Sequence, residues 1–419
     1  IQLGESCKSL SGRFGEGYVS SERCACVMSG LIILCEPQCW GFEHAQFNAA
    51  LLCTVLLAYP DVRVLFLGEP GHLEHVQAAL ARTFRAEMMW RVTWKEITIP
   101  PRRLGGWKRL SSEVEWCRQV LGLISRQTSC LFLCSITDTG LLVLKLMLLL
   151  QKTAVRTIAV PHAVLNVVIR KSPFRPWNLH SALRLPHPSQ LRYIALGQPI
   201  YHVLAEAQPR IARHFCVLDH PYLWAVSDLE TNVASPDPVR FGFLGVGSGR
   251  DGFDAFCRLA SEVHFQVPRT EFVLVGHVEQ TDPVASHIVR GISTIPLSAA
   301  EYEARARSLT YVVWLRNVQE RPLQASATFL DALSYVKPGI FLKNPFIEYY
   351  FKRMGDIGYL CDSYEEIRDT VLALGMDFPA QRYEQQCENI LHGRAIFEPQ
   401  TLALQLQAIV ESIIVSGGG

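Results

Sequence analysis

From residue 239 to residue 365 the chain alternates apolar strand-like runs with amphipathic helical ones, and the first strand ends in glycines. Phe241-Gly242-Phe243-Leu244 reads as a strand that enters Gly245-Val246-Gly247-Ser248-Gly249-Arg250-Asp251-Gly252; a helix follows with Phe253, Phe256, Leu259 and Ala260 on one face. Glycines let backbone amides approach an anion, and the helix dipole adds positive potential at the turn. The spacing is not the G-x-G-x-x-G of dinucleotide folds, and no acidic residue follows the next strand where such a fold needs one.

A second strand, residues 271–277, ends in His277, and a short apolar segment spans 292–296. Ser298 and Glu301 form a capping-box signature at the start of a helix. A strand over 311–315, a helix over 327–335, a strand over 339–342 and a helix starting near Ser363 complete the series. Strands alternating with helices imply parallel pairing and right-handed crossovers. Ligands of such sheets sit at the carboxyl ends of the strands.

The first half repeats the logic. A strand over 31–35 leads into Glu36-Pro37-Gln38-Cys39-Trp40-Gly41-Phe42-Glu43-His44 and a helix over 45–59. Further strands over 62–67, 130–135 and 155–160 end in Gly68-Glu69-Pro70-Gly71-His72, Asp138-Thr139-Gly140 and Pro161-His162. The fold class expected is therefore α/β, with two Rossmann-like parallel-sheet domains. The boundaries expected are an extension over 1–28, a first domain over 29–225, a turn-rich linker over 226–238, a second domain over 239–398 and a closing segment over 399–419. That segment holds a helix over 400–414 and a flexible glycine tail.

Four motifs in order carry a resemblance: the glycine turn with Arg250 before Gly252; Phe272-Val273-Leu274-Val275-Gly276; Pro296-Leu297-Ser298-Ala299-Ala300-Glu301-Tyr302; and Phe329-Leu330-Asp331-Ala332-Leu333-Ser334-Tyr335-Val336-Lys337-Pro338-Gly339-Ile340. Together they are similar to the C-terminal domain of a GT-B glycosyltransferase of the family-4 type (glycosyl transferases group 1). The resemblance implies a metal-independent transferase that moves a sugar from a nucleoside diphosphate-sugar, such as a UDP- or GDP-sugar, to a hydroxyl acceptor.

It also implies that the two domains face each other across a cleft, that the helix over 400–414 packs back toward the first domain, and particular roles for residues. Gly245, Gly247, Ser248 and Gly249 would approach the donor diphosphate with Arg250, while Val246 and Asp251 stand where the family's two cations usually lie. Asp331 occupies the place of a carboxylate that accepts hydrogen bonds from the ribose diol, a job suited to a two-oxygen acceptor. Leu323 stands where the family has a glutamate facing the donor sugar; Glu320, or Gln319 beside it, lies in the same loop. Arg316, Asn317 and His277 are further donor-side candidates. On the acceptor side the resemblance points to Trp40, Glu43 and His44, with His162 near the reacting sugar. If the enzyme inverts, Glu43, His44 or Asp138 could supply the base; if it retains, no obligatory protein base is expected. Two other functions share these features: a nucleotide-sugar epimerase of the same fold, and a non-catalytic nucleotide-sugar or nucleic-acid binding protein.

Composition bounds the rest. Of 419 residues, 49% are hydrophobic and 19% charged, a globular balance. Lys and Arg outnumber Asp and Glu by 24 to 17 up to residue 230 and are outnumbered 16 to 22 beyond it. A basic first domain suits an anionic or lipid-linked acceptor, or peripheral contact with a membrane, and nucleic acid is not the expected partner. Residues 101–109 and 170–177 interleave cations with tryptophans, and solvated loops are the plainer explanation of both. The apolar run 141–150 contains Lys145 and is too short to span a bilayer, so it reads as a buried helix. Residues 1–28 show no secretory core. The thirteen cysteines are scattered without zinc-site spacing, as expected for reduced thiols in a cytoplasmic protein.

Overall fold

The computed structural model describes residues 30–83, 86–101, 103–151, 155–161, 164–169, 179–224, 236–249, 252–278, 287–315 and 322–413. Two parallel sheets organise them. The first contains β1 (Leu31–Cys35), β2 (Arg63–Gly68), β3 (Val92–Glu96), β4 (Thr128–Leu133), β5 (Arg156–Ala159), β6 (Leu191–Leu196) and β7 (Phe215–Leu218), in the order β3-β2-β1-β4-β5-β6-β7. The second contains β8 (Val239–Gly247), β9 (Thr270–Val278), β10 (Val289–Arg290), β11 (Tyr311–Trp314), β12 (Gly339–Leu342) and β13 (Gly358–Cys361), in the order β10-β9-β8-β11-β12-β13. The central strands are apolar without alternation, as sheets covered on both faces require.

The helices of the first half are α1 (Ala45–Ala58), α2 (Pro70–Thr83), α3 (Gly106–Gly122), α4 (Asp138–Gln151), α5 (Leu179–Arg184), α6 (Gln198–Ala207) and α7 (Pro209–Ala212). Those of the second are α8 (Phe253–His264), α9 (Ala299–Ser308), α10 (Ala327–Ser334), α11 (Pro345–Met354), α12 (Tyr364–Met376), α13 (Ala380–Gly393) and α14 (Pro399–Glu411). The capping box of α9 forms as its sequence predicts, with Ser298 and Glu301 satisfying each other's backbone amides. Helix α4 differs from its expected full burial: Leu146, Leu149 and Leu150 face solvent, while Lys145 is buried and donates to the carbonyls of Ala182 and Leu185 at 2.9 Å each. No described helix is long and apolar enough to cross a membrane.

Helix α1 is apolar all round, and of its fourteen residues only Gln46 and Leu57 escape burial. Such a helix needs cover on its outer face as well as its inner one. Helix α14 provides it. Leu402, Ala403, Leu406, Ile409 and Val410 recur at helical spacing on its buried face, and it lies against α1 although it follows the second sheet in sequence. Gln407 caps the Ala58 carbonyl at the end of α1, Gln405 donates to Val217 at 2.9 Å, and Arg156 donates to Ile413 at 3.3 Å. At roughly 1.5–3 kcal/mol for each fully buried aliphatic side chain, this seam is a large share of what joins the two halves.

Strand β8 runs three residues further than its sequence suggests, so Gly245 to Gly247 are strand rather than turn. The reason is a close approach of backbones. Gly276 on β9 has φ 155°, and a Cβ there would lie 1.8 Å from the Gly245 carbonyl oxygen. Only glycine at 276 lets the two strands stay paired to Gly247 and Val278.

Candidate active site

In each sheet the strand order reverses once, between β1 and β4 in the first and between β8 and β11 in the second. Crevices at such points are where doubly wound sheets bind ligands. The first crevice is filled by the protein itself. Glu36, fully buried at the end of β1, accepts hydrogen bonds from the Gln38 amide at 2.9 Å, the Cys39 amide at 3.1 Å, Asn48 Nδ2 at 3.0 Å and the Ser135 hydroxyl at the end of β4.

The network continues into the loop before α1. Asn48 Nδ2 lies 2.8 Å from His72 Nε2, and His72 Nδ1 lies 2.8 Å from the Gly41 carbonyl. The carbonyl can only accept, so Nδ1 carries the proton and Nε2 accepts from Asn48. Glu69 accepts from the amides of His72 at 2.8 Å, Gly71 at 3.1 Å and Gly41 at 3.3 Å. Burial raises its carboxyl, but these three amides outweigh burial and hold it below its ordinary value. The loop is thus gripped from both sides. It ends in His44, whose φ of 51° is unusual for a residue with a side chain and calls for a constraint of this kind.

The second crevice is open. It contributes to a cavity of about 1020 Å³ between the two sheets. Gly245, Val246, His277 and Trp314 line it from the strand ends, Pro296 to Ala299 and Tyr302 from the start of α9, and Gln324 to Phe329 with Asp331 from α10 and the loop before it. The first domain contributes Phe42, Glu43, His44, the α2 face formed by His75, Ala79 and Arg82, and the crossing segment with His220, Tyr222 and Trp224. Ser326 caps α10 by accepting the Phe329 amide at 3.3 Å, so the helix begins at the cavity wall, where first-turn amides are available to an anion.

Asp331 faces this space with both oxygens engaged. Oδ1 accepts the Tyr222 hydroxyl at 2.5 Å, and Oδ2 accepts the Tyr302 hydroxyl at 2.8 Å. Loss of water around the carboxyl raises its pKa above the ordinary value, and the two tyrosine bonds pull it partly back. Burial, then the Asp331 charge, raise both phenols well above their usual range, so both remain proton donors.

Of the residues singled out from sequence, Glu43, His44, Gly245, His277 and Asp331 come together around the cavity. Gly247, Ser248 and Gly249 are not in its lining. Gly247 is packed against Val278 and Phe253, and a Cβ at Gly249 would meet the Asp254 carboxylate at 2.6 Å, so the start of α8 already holds a negative group. Trp40 packs against the first core instead of lining the cavity, and Asp138 begins α4, where it accepts the Thr139 amide at 2.8 Å. His162, Arg250, Arg316, Asn317 and Glu320 lie outside the described residues. Leu323, in place of the sugar-facing glutamate, is fully buried, and its amide donates to Asn166 Oδ1 of the first domain at 3.0 Å.

Sequence reasoning missed His220, Tyr222, Tyr302 and Gln324. His220 had the usable signal, a polar residue just after an apolar strand; the partners of Asp331 lie 109 and 29 residues away and had none. Among the described residues no group of three or more His, Cys, Asp or Glu could hold a metal ion, and the described cysteines are free thiols.

No protein-family model matches the sequence, and no curated protein is similar to it in sequence. Solved structures are similar in fold. Anabaena HepE in complex with UDP and glucose superposes with a TM-score of 0.61 at 14% identity, over 91% of this chain and 100% of that one. The UDP-forming α,α-trehalose-phosphate synthase of Burkholderia vietnamiensis gives 0.60 at 11%, over 92% and 99%. WaaG, a glycosyltransferase involved in lipopolysaccharide biosynthesis, gives 0.56 at 11%, over 92% and 100%. The two parallel sheets and the cleft between them are the GT-B architecture of these glycosyltransferases.

Proposed function

We propose that the protein is a glycosyltransferase that moves a sugar from a nucleoside diphosphate-sugar to a hydroxyl acceptor, with the donor on the second domain (239–398) and the acceptor on the first (29–225). The observation that carries this is the asymmetry of the two crevices: Glu36 plugs the first, whereas the second opens at glycine-lined strand ends onto the cavity between the sheets, where His277 and Asp331 stand among apolar side chains. UDP is the favoured nucleotide, because HepE, which is similar in fold, was solved in complex with it.

In this reading Asp331 receives the ribose diol and the first turn of α10 receives the diphosphate. Fixed amides there need no reorganisation as charge develops on the leaving group, which supports departure without a metal ion. His277 and Gly245 border the donor, and Arg250, Arg316, Asn317 and Glu320 keep the donor-side roles that the resemblance implies. Glu43, His44 and His162 serve the acceptor side. Leu323 cannot hydrogen-bond a sugar, so donor-sugar contacts fall to neighbours such as Gln324. The basic balance of the first domain favours an anionic acceptor, lipid-linked or at the inner face of a membrane, in the cytoplasm.

The test is incubation with UDP-glucose, UDP-N-acetylglucosamine and GDP-mannose, following nucleoside diphosphate release with and without hydroxyl acceptors. Acceptor-dependent release is expected, with Asp331→Ala raising the donor KM at least tenfold. Acceptor-independent isomerisation would instead indicate an epimerase, and binding without turnover a binding protein; an unchanged KM in Asp331→Ala removes the ribose assignment.

A further inference from the structure

The chain crosses from the first sheet to the second through Asp219, His220, Pro221 and Tyr222, just after β7. Three of these carry polar side chains. Asp219 is spent on the second domain, accepting the Tyr350 hydroxyl at 2.8 Å and Arg353 at 2.9 Å. Tyr222 is spent on Asp331. His220 differs from both.

Its Nδ1 lies 3.0 Å from the Pro221 carbonyl oxygen. A carbonyl only accepts, so Nδ1 bears the proton. Burial, only partly offset by that bond and reinforced by nearby His44, pushes the imidazole down to about 4. At neutral pH the ring is therefore uncharged, and Nε2 offers a lone pair and no proton. Phe47 packs against the ring with centroids 4.8 Å apart and fixes its plane. Among the described residues no side chain hydrogen-bonds Nε2, and the ring lines the cavity beside His44 and Phe47, on the wall facing the donor domain.

An uncharged acceptor on that wall selects for a donor group, and on a sugar the donor groups are hydroxyls. We propose that His220 is a specificity residue for the acceptor, its Nε2 accepting a hydrogen bond from a sugar-ring hydroxyl held beside His44. The proposal rests on the transferase reading above. The role is binding and orientation, because so weakly basic a ring does not retain the hydroxyl proton.

Full-length protein, His220→Leu and His220→Gln are compared by calorimetric titration with UDP, by thermal melting, and by UDP release from UDP-glucose with a mixture of methyl α-glucoside, α-galactoside and α-mannoside as acceptor probe. UDP affinity and melting temperature are expected to stay within twofold and a few degrees in both variants. Acceptor kcat/KM should fall at least tenfold in His220→Leu, mainly through KM, and recover largely in His220→Gln, whose amide oxygen reaches the place of Nε2. Unchanged acceptor kinetics in His220→Leu overturn the proposal, as does a matching loss of UDP affinity, or a glutamine variant as poor as leucine. A wild type that binds UDP but shows no release dependent on methyl glycoside also overturns it, whereas one that neither binds UDP nor turns over brings down the transferase reading itself.

Discussion

Tyr222 and Asp331 are joined by a 2.5 Å hydrogen bond between the segment that connects the two sheets and the helix proposed to hold the donor ribose. With Tyr302 on the other oxygen, each carboxylate oxygen already accepts one hydroxyl before any diol arrives. A ribose must share or displace these hydroxyls, and displacing Tyr222 frees the connecting segment.

Removing the competitor should therefore help the ligand. Tyr222→Phe is expected to lower the UDP Kd roughly three- to tenfold while costing about 1 kcal/mol of stability through the lost hydrogen bond. Titration calorimetry and denaturant unfolding measure the two quantities on one sample. Weaker UDP binding would show that Tyr222 supports the site instead of competing for it.

The raised pKa of Asp331 has a sign in pH. A carboxyl whose folded pKa exceeds its unfolded value favours the fold fully below the unfolded carboxylate range, and that contribution is lost as pH rises through the raised value. Asp331→Asn, which cannot ionise, should thus gain melting temperature relative to wild type as pH rises from 4 toward 7 and beyond. Thermal scans at three pH values check it, and a pH-independent difference would mean that the tyrosine bonds cancel the effect of burial.

Glu36 holds two backbone amides, Asn48 and Ser135 while itself fully buried. Glu36→Leu leaves all four donors unsatisfied, at roughly 3–5 kcal/mol, and should lower the melting temperature by about 10 °C. Glu36→Gln keeps the shape and is expected to lose less. Because the same network grips the loop carrying Glu43 and His44, limited proteolysis should cut near residue 41 faster in the leucine variant, with UDP affinity preserved.

Leu406 is fully buried where α14 meets the first domain. Leu406→Ala should cost about 2–5 kcal/mol, as other buried Leu→Ala changes do. Urea unfolding followed by tryptophan fluorescence is the measurement, and a cost below 1 kcal/mol would mean that the seam repacks.

Local chemistry was legible in the sequence wherever it was complete within a few residues. The capping box at Ser298, the cap at Ser363 and the apolar strands β1, β4, β8 and β9 all follow from neighbours in the chain. Strand β3 lies at the sheet edge and carries a weak apolar signal, Val-Thr-Trp-Lys-Glu, so sequence did not reveal it; β7, Phe-Cys-Val-Leu at the other edge, is apolar but only four residues long. The extension of β8 through Gly247 depends on Gly276 in another strand, which made the glycine turn look nearer the cleft than it is. Glu36 and Ser135 are 99 residues apart, and Asn166 reaches Leu323 across 157. Such pairings are set by topology.

The position of α14 also orders events during synthesis. The outer face of α1 (Ala45–Ala58) has no cover from α14 until residues 399–411 have left the ribosome. While the residues between the two helices are synthesised the first domain carries an unsheltered apolar helix, a surface suited to chaperone capture and to self-association. A fragment ending before residue 399 would carry that exposed face permanently, so the first domain's solubility depends on a helix that follows the second sheet in sequence.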